Sequence, residues 1–396
     1  MSGARIVIIG AGIAGLAAAA SLHQAGMPCL VFEQAPDLRA LGAGIQISPN
    51  AVRQLHRLGL EPHLRRDAVP IQSLAFFRWS DDAPLARMPL GERATAAFGA
   101  PYYAVHRADL HHALMTRIPQ DLVELGARCT GVREREGGVR AHFADGRHAD
   151  ADVVVGTDGI HSVVRACVAT DIPRYTGHVI YRGLVDADRC PFPTDVPQVR
   201  LWLGPDQHVV CYPISAGRLV YFGATATVER WAHQEWSVPA EVGELARMYT
   251  GWSGTVRALV SAAREVTCWA LHDRDNLDRW SSARTTLAGD AAHPMLPFMA
   301  QAANQAVEDA AVLAGCLREA PRHNPGPALQ RYEGIRKPRI QQVHTLSSAN
   351  AEVFHLADGP AQRARDTAFD QVWSIDRLEW LFGHDAAHLP TRRESA

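Results

Sequence analysis

Arg5-Ile-Val-Ile-Ile9 runs directly into Gly10-Ala-Gly12-Ile-Ala-Gly15, and the residues that follow, Leu16-Ala-Ala-Ala-Ala-Ser-Leu22, read as a helix. The apolar, β-branched run has the composition of a strand buried on both faces. Gly26 closes the helix, and Pro28-Cys-Leu-Val-Phe-Glu33 is a second strand that ends in a carboxylate. Each glycine answers a physical need. Gly10 allows the tight strand-to-helix turn, Gly12 lets the backbone approach a pyrophosphate, and Gly15 lets the helix pack close to the sheet. Phosphates would sit at the helix N-terminus, where free N–H groups and the macrodipole favour negative charge. Glu33, about twenty residues on, stands where an adenosine ribose would receive two hydrogen bonds. Gly10, Gly12, Ala14, Gly15 and Glu33 are therefore candidate cofactor contacts. A lone G-x-G-x-x-G is weak evidence, but strand, glycines, helix, strand and acid follow in order within one βαβ unit. An acid at Glu33, in place of an arginine, argues against a 2′-phosphate. The motif alone leaves NAD and FAD open.

The 396 residues allow two or three domains and a large core. Forty basic residues against 42 acidic ones give a formal charge of −2, which offers no electrostatic case for nucleic acid. No apolar run reaches the roughly 18 residues of a spanning helix, so no membrane is expected. The first strand begins almost at Met1, leaving no room for a signal peptide. Seven cysteines, an odd number without a metal-like CxxC, suggest reduced thiols and a cytoplasmic location. No metal site is expected.

Further along, Asn50 begins a helical pattern that ends at Gly59, and a second helix starts near Arg107. From Ile71 to Pro101 the pattern is short strands and loops, and Val123 to Asp150 reads as a β-meander. Asp152-Val-Val-Val-Gly156 is another doubly buried strand, followed by Thr157-Asp158-Gly159-Ile-His-Ser-Val-Val-Arg165. Residues from about Tyr175 to Leu271 are strand-rich and aromatic, with a helical insert from about Pro239 to Ala263. Thr285-Thr-Leu-Ala-Gly289-Asp290 returns to a nucleotide-type strand. Helices are expected from about Gln301 to Glu319 and from Arg331 to Phe354, with a frayed tail after Thr391. The organisation expected is one nucleotide domain (1–72, 101–174 and 276–396) interrupted by a β-rich substrate domain (73–100 and 175–275).

Three separated stretches resemble the single-component FAD-dependent aromatic hydroxylases, the group of para-hydroxybenzoate and salicylate hydroxylases. Gly10 to Glu33 looks like the ADP-binding unit of FAD. Gly156 to Arg165 matches the family's D-G motif, and Gly289-Asp290-Ala-Ala-His293-Pro294 its G-D motif. The resemblance implies an α/β fold with a Rossmann-like FAD-binding domain. It implies that Asp290 with Gly289 holds the ribityl chain, that Arg107 reaches the FAD, and that Asp158, Gly159 and Arg165 touch pyrophosphate and a transiently bound NAD(P)H. No second G-x-G-x-x-G is present for the nicotinamide cofactor. Leu41 to Asn50 and Met299 to Asp309 look most like the salicylate and hydroxynicotinate monooxygenase branch. The family's usual stretch, A-Q-G-A or G-Q-G, here reads Ala300-Gln301-Ala302-Ala303. A methyl group at Ala302 would crowd or displace the flavin ring, or cost a small adjustment if φ there is negative. The helix beginning near Gln301 would aim its N–H groups at the flavin pyrimidine, with Ala302 and Ala303 as contacts.

The implied activity is hydroxylation of a small aromatic or heteroaromatic ring with NAD(P)H and O2 through a flavin C4a-hydroperoxide, decarboxylative if it follows salicylate. The cofactor supplies the redox chemistry, and the protein must position the ring, exclude water and help deprotonate a hydroxyl. His293, beside the flavin motif and of near-neutral intrinsic pKa, is a candidate base; the same position suits a histidine bonded to backbone. Tyr212 lies on a strand whose alternation puts His208, Val210 and Tyr212 on one face, as a catalytic or a packed tyrosine. Gln46 falls where hydroxynicotinate-type relatives resemble this loop but carry histidine, so one acid or base is missing. Tyr181 and Arg182 are candidates for an acidic substituent, and His111 and His112 read as helix-surface residues. Competing readings are a monooxygenase of a larger natural-product aromatic, a flavin protein with impaired turnover because of Ala302, and an NAD-dependent dehydrogenase. A monomer or homodimer is expected.

Overall fold

Ile6–Ile9 lies at the centre of a five-stranded sheet, flanked by Val153–Gly156 on one side and Cys29–Phe32 on the other. Thr285–Leu287 and Val123–Glu124 complete it, and every pairing is parallel. Strands covered on both faces need continuous apolar runs, and Ile6–Ile9 and Val153–Gly156 are buried at every position. The structure, a computed structural model, describes residues 6–38, 43–233, 235–321 and 323–390, with backbone alone at 370–372. Arg5, Leu41 and the tail after Thr391 therefore lie outside the described residues.

Helix Ile13–Gln24 packs against helix Ala302–Arg318, and Ala17, Ala18 and Ala19, wholly buried, keep the two backbones close. An eight-stranded sheet forms the second layer. It runs from Ser237–Ala240 through Val266–Asp273, Arg174–Asp186, Leu219–Thr227, Gln207–Ile214, Gln198–Gly204 and Ser73–Arg78 to Pro84–Pro89. Only Gln198–Gly204 with Ser73–Arg78 pairs in parallel; the other neighbours are antiparallel. The fold is thus α/β, a Rossmann-like parallel sheet joined to a β-rich layer. A small sheet of Gly44–Ile47, Val69–Pro70 and Tyr103–His106 lies where the two meet. Cys129–Arg135, Gly138–Phe143 and His148–Ala151 form the expected meander.

The helical insert resolves into strand Ser237–Ala240 and two short helices, Val242–Met248 and Gly254–Ser261. Helices Glu61–Asp67, Gly91–Phe98 and Pro360–Val372 have no counterpart among the sequence expectations. The first two span seven and eight residues, too short for helical periodicity to register. The long helix begins earlier than expected, at Gly326, and ends at Phe354.

Candidate active site

The glycine turn is constrained from three sides. Gly10 has φ +104°, and a Cβ there would stand 2.6 Å from the Thr157 carbonyl oxygen. A Cβ on Gly15 would come within 1.9 Å of the Gly10 carbonyl oxygen, so helix and turn meet with no room for a methyl group. Gly12 faces open space, and with Ala14 it borders a cavity of about 520 Å³. Thr157, inside the D-G stretch but given no role by the sequence, brings its hydroxyl to 2.8 Å and 2.9 Å from the Ile9 and Gly10 carbonyls. That tie locks the two parallel strands at the turn.

Glu33 ends its strand on the cavity wall, and its carboxylate accepts hydrogen bonds from the backbone N–H groups of Ala11 (2.8 Å) and Ala35 (2.9 Å). Two such bonds fix the carboxylate and leave lone pairs for ligand hydroxyls. His111 corrects an expectation: it is buried, not at the surface, and donates from Nε2 to the Ala11 carbonyl at 2.8 Å. It braces the glycine turn from the helix Arg107–Met115.

Asp158 and Gly159 border the cavity, but the Asp158 carboxylate is turned onto its own loop, accepting from the Ser162 hydroxyl at 2.5 Å and the Val163 N–H at 2.7 Å. Arg165 corrects a second expectation. It is fully buried and points away from the cavity, donating to the Ala291 (3.1 Å) and Ala292 (3.0 Å) carbonyls and forming an ion pair with Asp171. Its guanidinium ties this motif to the loop after Gly289.

Asp290 is surrounded by protein yet bares its carboxylate to the cavity. Burial raises its pKa, opposed by the charges of His293, Arg107 and Arg182. Gly289, with φ +59°, donates its N–H to Asp309 at 2.9 Å, which sets the direction of the Asp290 side chain. Arg107 and Arg182 bring two positive charges to the same cavity, and Arg182 Nε is buried without a hydrogen-bond partner among the described residues. Across from them, Ala302 and Ala303 open the helix Ala302–Arg318. Ala302 has ordinary helical geometry, and the left-handed residue is Ala300, with φ 51° and ψ 37°. A glycine is therefore not required at 302.

The donor set suits a flavin dinucleotide. A glycine turn whose Gly12 faces open space at a helix N-terminus fits a pyrophosphate, the fixed Glu33 and bare Asp290 fit polyol hydroxyls, and two guanidinium groups offset anionic charge. The family described as FAD binding domain matches residues 4–347. The chain belongs to this family of FAD-dependent aromatic monooxygenases. It is 49% identical over 388 residues to a 3-amino-4-hydroxybenzoate 2-monooxygenase of Streptomyces platensis, covering 98% of both chains. It is 37% identical to a 6-hydroxynicotinate 3-monooxygenase of Pseudomonas fluorescens, covering 98% of this chain and 96% of that one. Klebsiella pneumoniae HpxO complexed with FAD and uric acid superposes with a TM-score of 0.85 at 27% identity, covering 98% and 97%.

The monooxygenase has a second, narrower space of about 70 Å³ beside the large cavity, here called the ring pocket. Gln46, Val210, Pro297 and Ala300 border both spaces and form the shared wall. Phe354, Trp373, Leu378 and Phe382 from the C-terminal helices border the pocket. Tyr102 donates its hydroxyl to Gln46 Oε1 at 2.8 Å, leaving the Gln46 amide N–H groups as donors. Strand Gln207–Ile214 alternates as expected: His208 borders the ring pocket, Tyr212 the large cavity, and Val210 both. Burial pushes the Tyr212 phenol well above its usual range, so it stays protonated at neutral pH.

His293 does not reach either space. It is buried, its Nε2 lies 2.6 Å from Asp309 Oδ2, and its Nδ1 has no partner among the described residues. Asp309, sixteen residues on, captures the ring, and of the two roles open to His293 in the sequence the geometry matches the structural one, though its partner is a carboxylate and not backbone. Arg182 borders the large cavity with its guanidinium 4.7 Å from the centre of the Trp269 ring, whereas Tyr181, one residue before, packs on the opposite face of the strand. Asn304 is the residue most clearly missed. Its amide donates to the Ala300 (2.7 Å) and Gln46 (3.0 Å) carbonyls, and its oxygen accepts from the Ser48 N–H at 2.9 Å.

Among the described residues no helix is long and apolar enough to cross a membrane.

Proposed function

We propose that this monooxygenase adds one oxygen atom from O2 to a single aromatic ring bearing carboxylate, hydroxyl and amino groups, of the 3-amino-4-hydroxybenzoate type, using NAD(P)H as reductant. The observation that carries the reading is the ring pocket, which is small, mostly apolar and adjoins the flavin-sized cavity. Its size favours one ring over the larger natural-product aromatics, and the 49% identity to an aminohydroxybenzoate monooxygenase favours a ring acid over the hydroxynicotinate reaction.

Bound FAD supplies the redox chemistry, taking hydride from NAD(P)H and delivering oxygen to the ring. The residues do the rest. Gly10, Gly12, Ala14 and Gly15 with the following helix receive the pyrophosphate, and Glu33 the adenosine ribose. Asp290 binds the ribityl hydroxyls, Arg107 and Arg182 offset the negative charge, and Ala302 and Ala303 present helix N–H groups to the flavin. Asp158 and Gly159 shape the groove entered by the nicotinamide. At the ring, Gln46 donates to the substrate hydroxyl and stabilises charge that develops on it, with neutral Tyr212 as a second donor on the cavity side. Trp373 and Phe382 keep water from the reacting face. The seven free thiols accord with work in the cytoplasm.

The test is NAD(P)H oxidation by FAD-loaded enzyme with 3-amino-4-hydroxybenzoate, 4-hydroxybenzoate, salicylate and 6-hydroxynicotinate, with product masses. Substrate-dependent oxidation and a product of the first compound heavier by one oxygen are expected. Turnover confined to another ring acid would replace the substrate assignment, and no stimulation by any would overturn the reading.

A further inference from the structure

The ring pocket is apolar except for Gln46, Tyr102 and His208, and the first two are bonded to each other. His208 borders the ring pocket but not the large cavity. Its Nδ1 lies 2.8 Å from Nε2 of His355, the residue that caps helix Gly326–Phe354. No hydrogen bond reaches His208 Nε2 among the described residues. The rings of His208 and His355 stack at 5.1 Å, and His178, on strand Arg174–Asp186, lies 5.9 Å beyond His355.

The groups facing this cluster can be named element by element. Strand Leu219–Thr227 brings the Thr225 hydroxyl, 3.2 Å from His208 Nδ1, and strand Arg174–Asp186 brings His178. The turn Pro297–Met299 and helix Gly326–Phe354 bring the rings of Phe298 and Phe354. The charges that bear on His208 are those of His355 and His178, and among the described residues no carboxylate bonds the cluster, Asp206 meeting it through its backbone N–H on the His355 carbonyl at 3.1 Å. Burial and this mutual repulsion hold His208 well below its usual pKa and His355 down at about 4. Both are neutral at pH 7. A histidine cluster that reaches an apolar pocket through His208, with no carboxylate bonded to it among the described residues, forms a site that an incoming carboxylate completes.

We propose that His208, steadied by His355, receives the carboxylate of the aromatic substrate in the ring pocket and takes up a proton as the ligand docks. This rests on the reading that the substrate is a ring acid. The proton comes from solvent by way of the half-buried His355 and converts one neutral imidazole to imidazolium. One N–H bond forms as the proton leaves a solvent oxygen, and no other bond and no oxidation state changes. His208 then donates from Nε2 to the carboxylate and from Nδ1 to His355. Arg182 does not serve this end of the substrate, because it borders the large cavity and faces Asp290.

The experiment compares 3-amino-4-hydroxybenzoate with 2-aminophenol, the same ring without the carboxylate, on FAD-loaded enzyme. Binding is read from the flavin absorbance, and proton uptake from an indicator dye in weakly buffered solution. The acid should take up about one proton per site near neutral pH, and its affinity should fall by up to about tenfold per pH unit above neutrality. 2-Aminophenol should do neither. His208→Gln should abolish the uptake, weaken acid binding on the order of 10- to 100-fold and leave 2-aminophenol unchanged. In turnover it should raise KM for the acid far more than it lowers kcat. His355→Gln, at the more accessible end, should move uptake and acid binding in the same direction by less, and carries the test if His208→Gln loses flavin. Acid binding without uptake, or equal losses for both ligands in His208→Gln, would overturn the assignment. Uptake on binding with no oxygenation would instead sink the proposed reaction and leave His208 standing.

Discussion

At the scale of single residues the flavin loop turns on two alanines. Ala300 is left-handed, which costs an L-residue roughly 1–2 kcal/mol, whereas Ala302 is the first residue of a helix with ordinary φ. The family's glycine points to strain at 302; the backbone places it two residues earlier. Ala300→Gly should therefore stabilise the protein by up to about 1 kcal/mol, since glycine's larger unfolded-state entropy offsets part of the relieved strain. Ala302→Gly should lower stability by a few tenths of a kcal/mol to about 1 kcal/mol and leave turnover within about twofold. Denaturant midpoints, flavin retention and turnover of the two variants check this pair. The opposite ranking would mean that the Ala300 methyl is itself a packing element of the loop. His293 teaches a related lesson: a histidine next to a flavin motif looks catalytic in sequence, but its direction is set by Asp309 on another element.

At the scale of elements, the strand Gly44–Ile47 with its exit and the N-terminus of helix Ala302–Arg318 behave as one unit. Asn304 bonds Gln46, Ser48 and Ala300, the Gln301 amide donates to the Ser48 hydroxyl at 2.9 Å, and Asn50 donates to Glu308 at 2.6 Å. Asn304→Ala leaves the Ser48 N–H and two carbonyls without partners, a cost of about 1–3 kcal/mol per buried group left unsatisfied. It should loosen both walls of the ring pocket, raising KM and accelerating FAD release. Wild-type flavin release and KM in this variant would show that the clamp does not position the site. The same unit explains what is legible in the chain. Gly10, Gly15 and Glu33 are legible because sterics and hydrogen bonding allow few other residues in that order. The stretches around Gln46 and Asn304 are legible only as a resemblance, since nothing local says that two segments some 250 residues apart bond each other. Arg165 and His111 are misplaced by sequence for the same reason, their partners being supplied by distant backbone carbonyls. The ring pocket is the least legible part, because the C-terminal aromatics Trp373 and Phe382 come from elements with weak local signals.

At the scale of the whole molecule, one buried arginine joins the parts that must hold the flavin. Arg336, fully buried on the long C-terminal helix, bonds Asp309 at 2.7 Å and Glu308 at 2.5 Å. Asp309 in turn holds Gly289 and His293, and Glu308 holds Asn50 and Arg339. Burial alone would raise the pKa of both carboxylates, but the charges of Arg336 and its neighbours His293 and Arg339 outweigh it and bring each down to about 2. Both folded-state values lie below the unfolded ones, so this contribution to stability is complete above about pH 5 and is lost as pH falls toward 2. Removing the cation reverses the sign. In Arg336→Met two adjacent carboxylates remain buried with less positive charge, and their pKa values should rise above the unfolded ones. The expected loss is roughly 3–5 kcal/mol at pH 8, smaller near pH 5 where one of the pair is protonated. Because Asp309 anchors Gly289, flavin should leave the variant faster at pH 8 than at pH 5. Unfolding midpoints and flavin content at the two pH values decide it. A loss that is small, or equal at both, would mean that packing around Arg336, and not its charge, joins the C-terminal helix to the flavin loop.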